Sequence, residues 1–255
     1  MFQPFGSTAF VTGGSRGLGL ASAEALAEAG CDVVLNHFQD SAKAQKECDR
    51  LKAKTGRKVF EIDADVGDSS AARSAVAKAA DLLGKLEIVH SNAGICRFTP
   101  FLDIDDDTWR RHIGVNFNGG FYVAQSAARI MVKAGKGGRI LFTTSIGAFR
   151  SNATQTHYCA TKGGLHLLAM GMAIELGQHG ITVNCIAPGW IHTDINDAQS
   201  RDEAAVKPWV ASHVSAGRLG KPQDLKAAVL FLTSKEADYV NGSTVHVDGG
   251  WNAQL

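Results

Sequence analysis

The sequence predicts an α/β protein folded as one domain over residues 1–255, with a doubly wound parallel sheet between two helical layers. Three observations carry this expectation. Short apolar runs alternate with helix-patterned stretches along the whole chain. The first run, Ala9-Phe10-Val11, leads straight into a glycine-rich turn, Thr12-Gly13-Gly14-Ser15-Arg16-Gly17-Leu18-Gly19, and then a helix. Several later runs end in small polar turns, and the carboxyl ends of parallel strands are where such sheets receive ligands.

Taken in order, the helix after the glycine turn spans Leu20 to Ala29 and stops at Gly30; Val33-Val34-Leu35 is the second strand. That is one βαβ unit with a right-handed crossover. Ser41 to Lys54 is a surface helix of mixed charge, and Val59 to Ile62 is a strand leading into Asp63-Ala64-Asp65-Val66. An alanine-rich helix, Ser69 to Leu83, ends at Gly84. The fourth strand, Leu86 to His90, opens into Asn92-Ala93-Gly94. A helix from Trp109 runs without interruption through Asn116 to Met131. Arg139 to Thr144 is the fifth strand, ending at Ser145; Ile181 to Ile186 is the sixth, ending at Pro188-Gly189. Trp190 to Gly217 is polar and irregular, contains Pro208, and reads as a mobile substrate lid. A last long helix, Leu225 to Leu232, precedes a final strand, Thr244 to Val247.

Two features carry chemistry. The turn glycines let backbone approach a pyrophosphate, whose charge the following helix N-terminus favours; the spacing is GxxxGxG. A carboxylate at the end of the second strand would bond the ribose of NAD, but Asn36 and His37 stand there. Arg16 in the turn and His37 are donors for a 2′-phosphate, so NADP(H) is expected ahead of NAD(H). The second feature is Tyr158 and Lys162, one helical turn apart on one face. A phenol titrates near 10. A nearby ammonium favours its ionised form, so this tyrosine can exchange a proton with an alcohol or carbonyl oxygen.

Composition excludes little and adds less. Formal net charge is +1, which argues against a nucleic-acid or membrane partner through bulk charge. The five cysteines are scattered, without a CxxC pair, and no metal site is expected. With no signal-like start, a reduced cytoplasmic setting is expected. The helices of Asn116 to Met131 and Tyr158 to Leu176 are apolar beyond one buried stripe, which predicts a homo-oligomer.

These residues together resemble the short-chain dehydrogenase/reductase family. Thr12-Gly13-x-x-x-Gly17-x-Gly19, Asp65, Asn92-Ala93-Gly94, Asn116, Ser145, Tyr158-x-x-x-Lys162 and Pro188-Gly189 with Thr193 stand in that family's order over nearly the whole chain. The resemblance implies a Rossmann-type fold, an NAD(P) cofactor and a homotetramer. It implies that Tyr158 is the acid/base, that Lys162 lowers its pKa and bonds the nicotinamide ribose, that Ser145 holds the substrate oxygen, and that Asn116 supports a water relay. By position it also implies cofactor contacts from Gly13, Ser15, Arg16, Gly17, Leu18, Gly19, Asn36, His37, Asp65, Val66, Asn92, Gly94, Pro188, Gly189, Ile191 and Thr193. The segments Asn92 to Cys96, Gln155 to Tyr158 and Thr193 to Asn196 are similar to bacterial sugar dehydrogenases of the L-rhamnose 1-dehydrogenase group. That similarity implies sugar contacts from Gln155 and Asn196 beside Ser145 and Tyr158, with oxidation of an aldose at C1. Trp190 stands where that group has a small hydroxyl residue, and either stacks on the substrate or fills the pocket. The same core motifs occur in 3-oxoacyl carrier-protein reductases, and a non-catalytic NAD(P)-binding regulator is the alternative of another class.

Overall fold

The computed structural model describes residues 2–253. Seven parallel strands lie in the order β3-β2-β1-β4-β5-β6-β7: β1 Thr8–Val11, β2 Asp32–His37, β3 Val59–Asp63, β4 Ile88–Ser91, β5 Gly138–Thr143, β6 Ile181–Pro188 and β7 Thr244–Val247. The helices are α1 Gly17–Glu28, α2 Ser41–Thr55, α3 Ser69–Leu83, α4 Asp106–His112, α5 Gly119–Ala134, α6 Thr156–Leu176, α7 Asp197–Ser200, α8 Glu203–His213 and α9 Lys226–Leu232. The strand order reverses between β1 and β4, because β1 pairs with both β2 and β4. A crevice opens there at the carboxyl edge.

The strands alternate their side chains between two cores, as period-two geometry requires. Phe10, Val34, Val89, Ile140 and Phe142 pack toward α3, α5 and α6. Val11, Leu35, Ile88, Leu141 and Ile186 pack toward α1, α2 and α9. Because both faces are covered, the strands read as continuous apolar runs. Gly19 is required for close packing: a Cβ there would strike the Gly13 carbonyl oxygen and the Asn92 side chain.

Three expectations need correction. The helix through Asn116 is interrupted: Ile113–Asn118 is a π-helical segment between α4 and α5. A π-turn occurs as a single turn inside an otherwise α-helical stretch, and no residue type in Ile113–Asn118 marks it. The stretch 190–217 is not irregular, since it carries α7 and α8. Asp202 caps α8, accepting from Ala204 N and Ala205 N at 3.1 Å each. Val206, Val210 and Val214 pack with Trp190, Trp209, Leu219 and Trp251 into a small third core. That burial outweighs the helix bond lost at Pro208. The last helix is short, entered through a 3-10 turn at Pro222–Leu225.

On α6, Leu165, Ala169 and Ala173 face the sheet while Leu167, Met170 and Ile174 are exposed, Ile174 by 83%. The second set also recurs at helical spacing, so α6 has two apolar faces and the sheet covers one. Among the described residues, no helix is long and apolar enough to cross a membrane.

Candidate active site

The crevice at the strand reversal is a cleft of about 780 Å³. Every candidate residue from the sequence lines it except Gly19 and Asn116, which stand directly behind its wall. Its floor is the carboxyl edge of β1, β4, β5 and β6, and its roof is the 190–217 segment.

The floor is held by a polar chain across three strands. Thr12 Oγ1 accepts from the Asn92 and Ala93 amides at 2.9 and 3.0 Å. The Asn92 side chain donates to the Thr12 carbonyl at 3.0 Å and accepts from Thr143 Oγ1 at 3.0 Å. Thr143 Oγ1 in turn lies 2.8 Å from His90 Nε2. Since Thr143 donates to Asn92, His90 is the donor at Nε2, and its buried Nδ1 has no hydrogen-bond partner among the described residues. Burial drives His90 down to about 3, so it stays neutral.

Lys162 reaches the same hub. Its Nζ donates to the Thr143 carbonyl at 2.8 Å and lies 5.6 Å from the Tyr158 ring centroid. Burial lowers its pKa to about 8, and its ionisation feels Cys96 and Cys185 rather than a carboxylate. Burial also pushes the Tyr158 phenol above its ordinary value, with a smaller opposing effect from a Ser145 hydrogen bond. The expectation that Lys162 lowers the phenol is therefore outweighed in the protein alone: desolvation is the larger effect. Ser145 is fixed at the end of β5 by the Gly147 amide, which donates to its Oγ at 3.0 Å. Asn116 accepts from the Ile95 amide at 2.8 Å and donates to the Ile95 carbonyl at 2.9 Å and to Thr161 Oγ1 at 3.2 Å. It thus braces the Asn92–Ile95 turn against the second turn of α6.

The other end of the cleft fits a dinucleotide. Gly13 and Gly17 have φ of +63° and +54°, and a Cβ at Gly13 would fill the cradle, 3.1 Å from Ala93 Cα. The N-terminus of α1 has no side-chain cap and no acid in its first turn, leaving its amides available to an anion. Beyond it, Arg111 bonds Asp65 at 2.6 Å and sits 5.8 Å from the Phe38 ring centroid.

Three side chains do less than expected. Asn36 is buried and donates to the carbonyls of His37 and Ala64, each at 3.0 Å, tying β2 to the strand beside it. His37 is also buried: Nε2 bonds Glu61 at 2.5 Å and Nδ1 accepts from the Asp40 amide at 3.3 Å. Both ring nitrogens of His37 are thus engaged within the protein alone. Asn196 donates to the Ile191 carbonyl at 2.8 Å and accepts from the Thr193 amide at 3.0 Å, so its side chain fixes its own turn at the cleft. A one-residue reading of polarity could not tell a ligand contact from a turn brace.

Other residues join the site only through the fold. Asp40 folds back to accept from Ser15 Oγ at 2.8 Å and to pair with Arg16 at 3.3 Å. Trp209 and Trp251 line the substrate end with Trp190, their ring centroids 4.7 Å from Trp209 on either side. Three tryptophans near the end of the chain were the available signal, but no spacing links them. Cys96 accepts from Gln155 Nε2 at 3.4 Å. Sulfur is a weak acceptor, so that amide can trade it for a hydroxyl at little loss. Among the described residues no cluster of histidine, cysteine or carboxylate is placed to hold a metal.

Known proteins resemble this chain along nearly its whole length. A family model described as enoyl-(acyl carrier protein) reductase matches residues 13–252. The chain is 40% identical over 250 residues to an L-rhamnose 1-dehydrogenase (NAD(P)(+)) of Sphingomonas sp., covering 98% of each. It is 36% identical over 243 residues to a 3-oxoacyl-acyl-carrier-protein reductase of Staphylococcus aureus, covering 95% of this chain and 97% of the relative. A crystal structure of gluconate 5-dehydrogenase from Burkholderia cenocepacia, in complex with NADP and tartrate, matches with a TM-score of 0.93. It is 35% identical, over 100% of this chain and 98% of that one.

The buried histidines predict acid sensitivity. His90, His112 and His157 all have folded pKa values below the ordinary 6.5, each chiefly through burial. Below that value the unfolded chain binds protons that the folded chain refuses. Stability is thus full above about 6.5 and falls with pH, for His90 down to about 3, by up to about 1.4 kcal/mol per pH unit per histidine. Urea unfolding between pH 7 and 4 should show this, and His90→Gln should flatten the slope by close to one proton. An unchanged slope in that variant would exclude His90 as a contributor.

Proposed function

The chain belongs to the short-chain dehydrogenase/reductase family, and from that premise we propose that it oxidises an aldose at C1 to the lactone, with NADP preferred over NAD. The observation that carries the chemistry is the set of buried Ser145, half-buried Tyr158 and buried Lys162 at one end of a cleft whose other end fits a dinucleotide. A bound nicotinamide cofactor supplies the hydride acceptor. The glycine turn and the N-terminus of α1 would hold its pyrophosphate, and Asn92, Gly94 and the Pro188–Thr193 stretch its ribose and nicotinamide.

Ser145 Oγ and Tyr158 Oη orient the C1 oxygen. Tyr158 takes the hydroxyl proton as the C1 hydride departs, and the ammonium of Lys162 beneath the ring stabilises the resulting charge. Because burial raises the phenol, Tyr158 without that ammonium would be a poor base near neutrality. Asn116 acts by bracing the turn that forms the opposite wall. The wall of Trp190, Trp209 and Trp251 offers broad apolar faces of the kind that pack on the C–H face of a pyranose, with Gln155 of the same cleft as a hydroxyl partner. The L-rhamnose 1-dehydrogenase relative supports the aldose reading. The carrier-protein reductase relative supports a second reading, reduction of a 3-oxoacyl thioester. The tryptophan wall weighs against it, since rigid rings leave less room for a flexible acyl chain. Intact Ser145, Tyr158 and Lys162 weigh against a non-catalytic regulator.

Tyr158→Phe should lower turnover by at least about a hundredfold, the scale of a general acid/base, and leave NADP affinity nearly unchanged. Following reduced nicotinamide absorbance across aldoses and acyl thioesters decides the substrate class. Turnover with a thioester and with no aldose would replace this reading by the second.

The exposed stripe of Leu167, Met170 and Ile174 on α6 supports a homotetramer with two-fold contacts. Sedimentation at micromolar concentration should give the tetramer, and Ile174→Glu should give smaller species. A wild-type monomer would contradict the assembly.

A further inference from the structure

Four charged side chains meet where the roof crosses the adenosine end of the cleft. Arg16 of the glycine turn pairs with Asp40 at 3.3 Å and with Asp194 at 3.5 Å. Lys43, in the first turn of α2, pairs with the same Asp194 oxygen at 3.3 Å. Asp194 follows Thr193 in the roof segment, and Thr193 Cγ2 lies 3.6 Å from the place a Cβ would take at Gly17. The roof is therefore pinned to the glycine turn by one carboxylate shared between two cations.

We infer that Arg16 and Lys43 form a two-cation site for the 2′-phosphate, that Asp194 occupies this site in the free protein, and that the phosphate and the carboxylate exchange. This rests on the NADP reading above and adds a residue, a competitor and a consequence to it. Two cations and two carboxylates already balance, so a phosphate dianion is held well only if a carboxylate leaves. The structure identifies which one. Asp40 is 20% exposed and also accepts from Ser15 Oγ at 2.8 Å. Asp194 is 62% exposed and its ion pairs are with Arg16 and Lys43. Exposed pairs of that kind contribute little, whereas a phosphate offers several charge-assisted bonds to a planar guanidinium and an ammonium. The exchange therefore favours the phosphate. NAD lacks the phosphate and leaves the clasp closed, so the two cofactors set two states of the roof: tethered with NAD, released at Asp194 with NADP. Asp194 thereby acts against NADP, and Lys43 for it.

Calorimetric titration of NADP+ and NAD+ into the intact protein tests this without substrate. Asp194→Asn should tighten NADP+ several-fold and leave NAD+ nearly unchanged. Lys43→Ala should weaken NADP+ several-fold and spare NAD+. Hydrogen exchange over 190–217 supplies a second readout. In the wild type NADP+ should leave the turn around Asp194 exchanging faster than NAD+ does, and in Asp194→Asn the two complexes should match. An Asp194→Asn protein with the wild-type ratio of NADP+ to NAD+ affinity would overturn the inference, as would equal weakening of both cofactors by Lys43→Ala. Failure of the cofactor reading itself looks different: Arg16→Ala would then leave the ratio where it was.

Discussion

A single carbonyl, that of Thr143 at the end of β5, holds the buried ammonium of Lys162, and the active cleft depends on that contact. A charged group taken out of water costs several kcal/mol unless it is paired and hydrogen-bonded. Here the hub residue is itself fixed from the other side, since its hydroxyl accepts from His90 and donates to Asn92. The chain continues through Thr12, so β1, β4 and β5 are locked at the edge where the strand order reverses. The setting of Lys162 and the geometry of the sheet share the same hydrogen bonds.

That arrangement explains the electrostatics of the site. Burial raises the phenol of Tyr158 and lowers the ammonium of Lys162, so each is pressed toward its neutral form. A site pressed in this way responds strongly to any charge brought into it, because there is little water to screen it. The His90 ring beneath the hub stays neutral for the same reason, and so adds a donor without adding a charge. The roof contrasts with the floor: its ion pairs are exposed, weak and exchangeable, which suits an element that must admit a cofactor.

The floor was legible in the sequence and the roof was not. Strands buried on both faces leave apolar runs, and the turns at their ends carry Gly13, Asn92, Ser145 and Pro188, so the site could be placed by topology. The π-helical segment at Ile113–Asn118 was hidden, because it is a single turn flanked on both sides by helix and no residue type in it announces the change. The helix containing Pro208 was hidden because the packing of Trp190, Trp209 and Trp251, far apart in sequence, overrides local propensity. Polar residues at the cleft divided by partner: His37 is tied to Glu61 and Asn196 to local backbone, which only the folded chain reveals. Asp40 and Asp194 reach the glycine turn only through the folded chain.

The central claim is that Lys162 sits uncompensated by any carboxylate in a desolvated site, poised close to its own titration. The measurement that tests it most directly is the pH dependence of the Lys162 side-chain resonance in lysine-labelled protein, assigned with a Lys162→Met variant. The account predicts a midpoint near 8, well below the ordinary lysine value of 10.5. A midpoint at or above the ordinary value would contradict it, and would place a compensating charge beside Lys162.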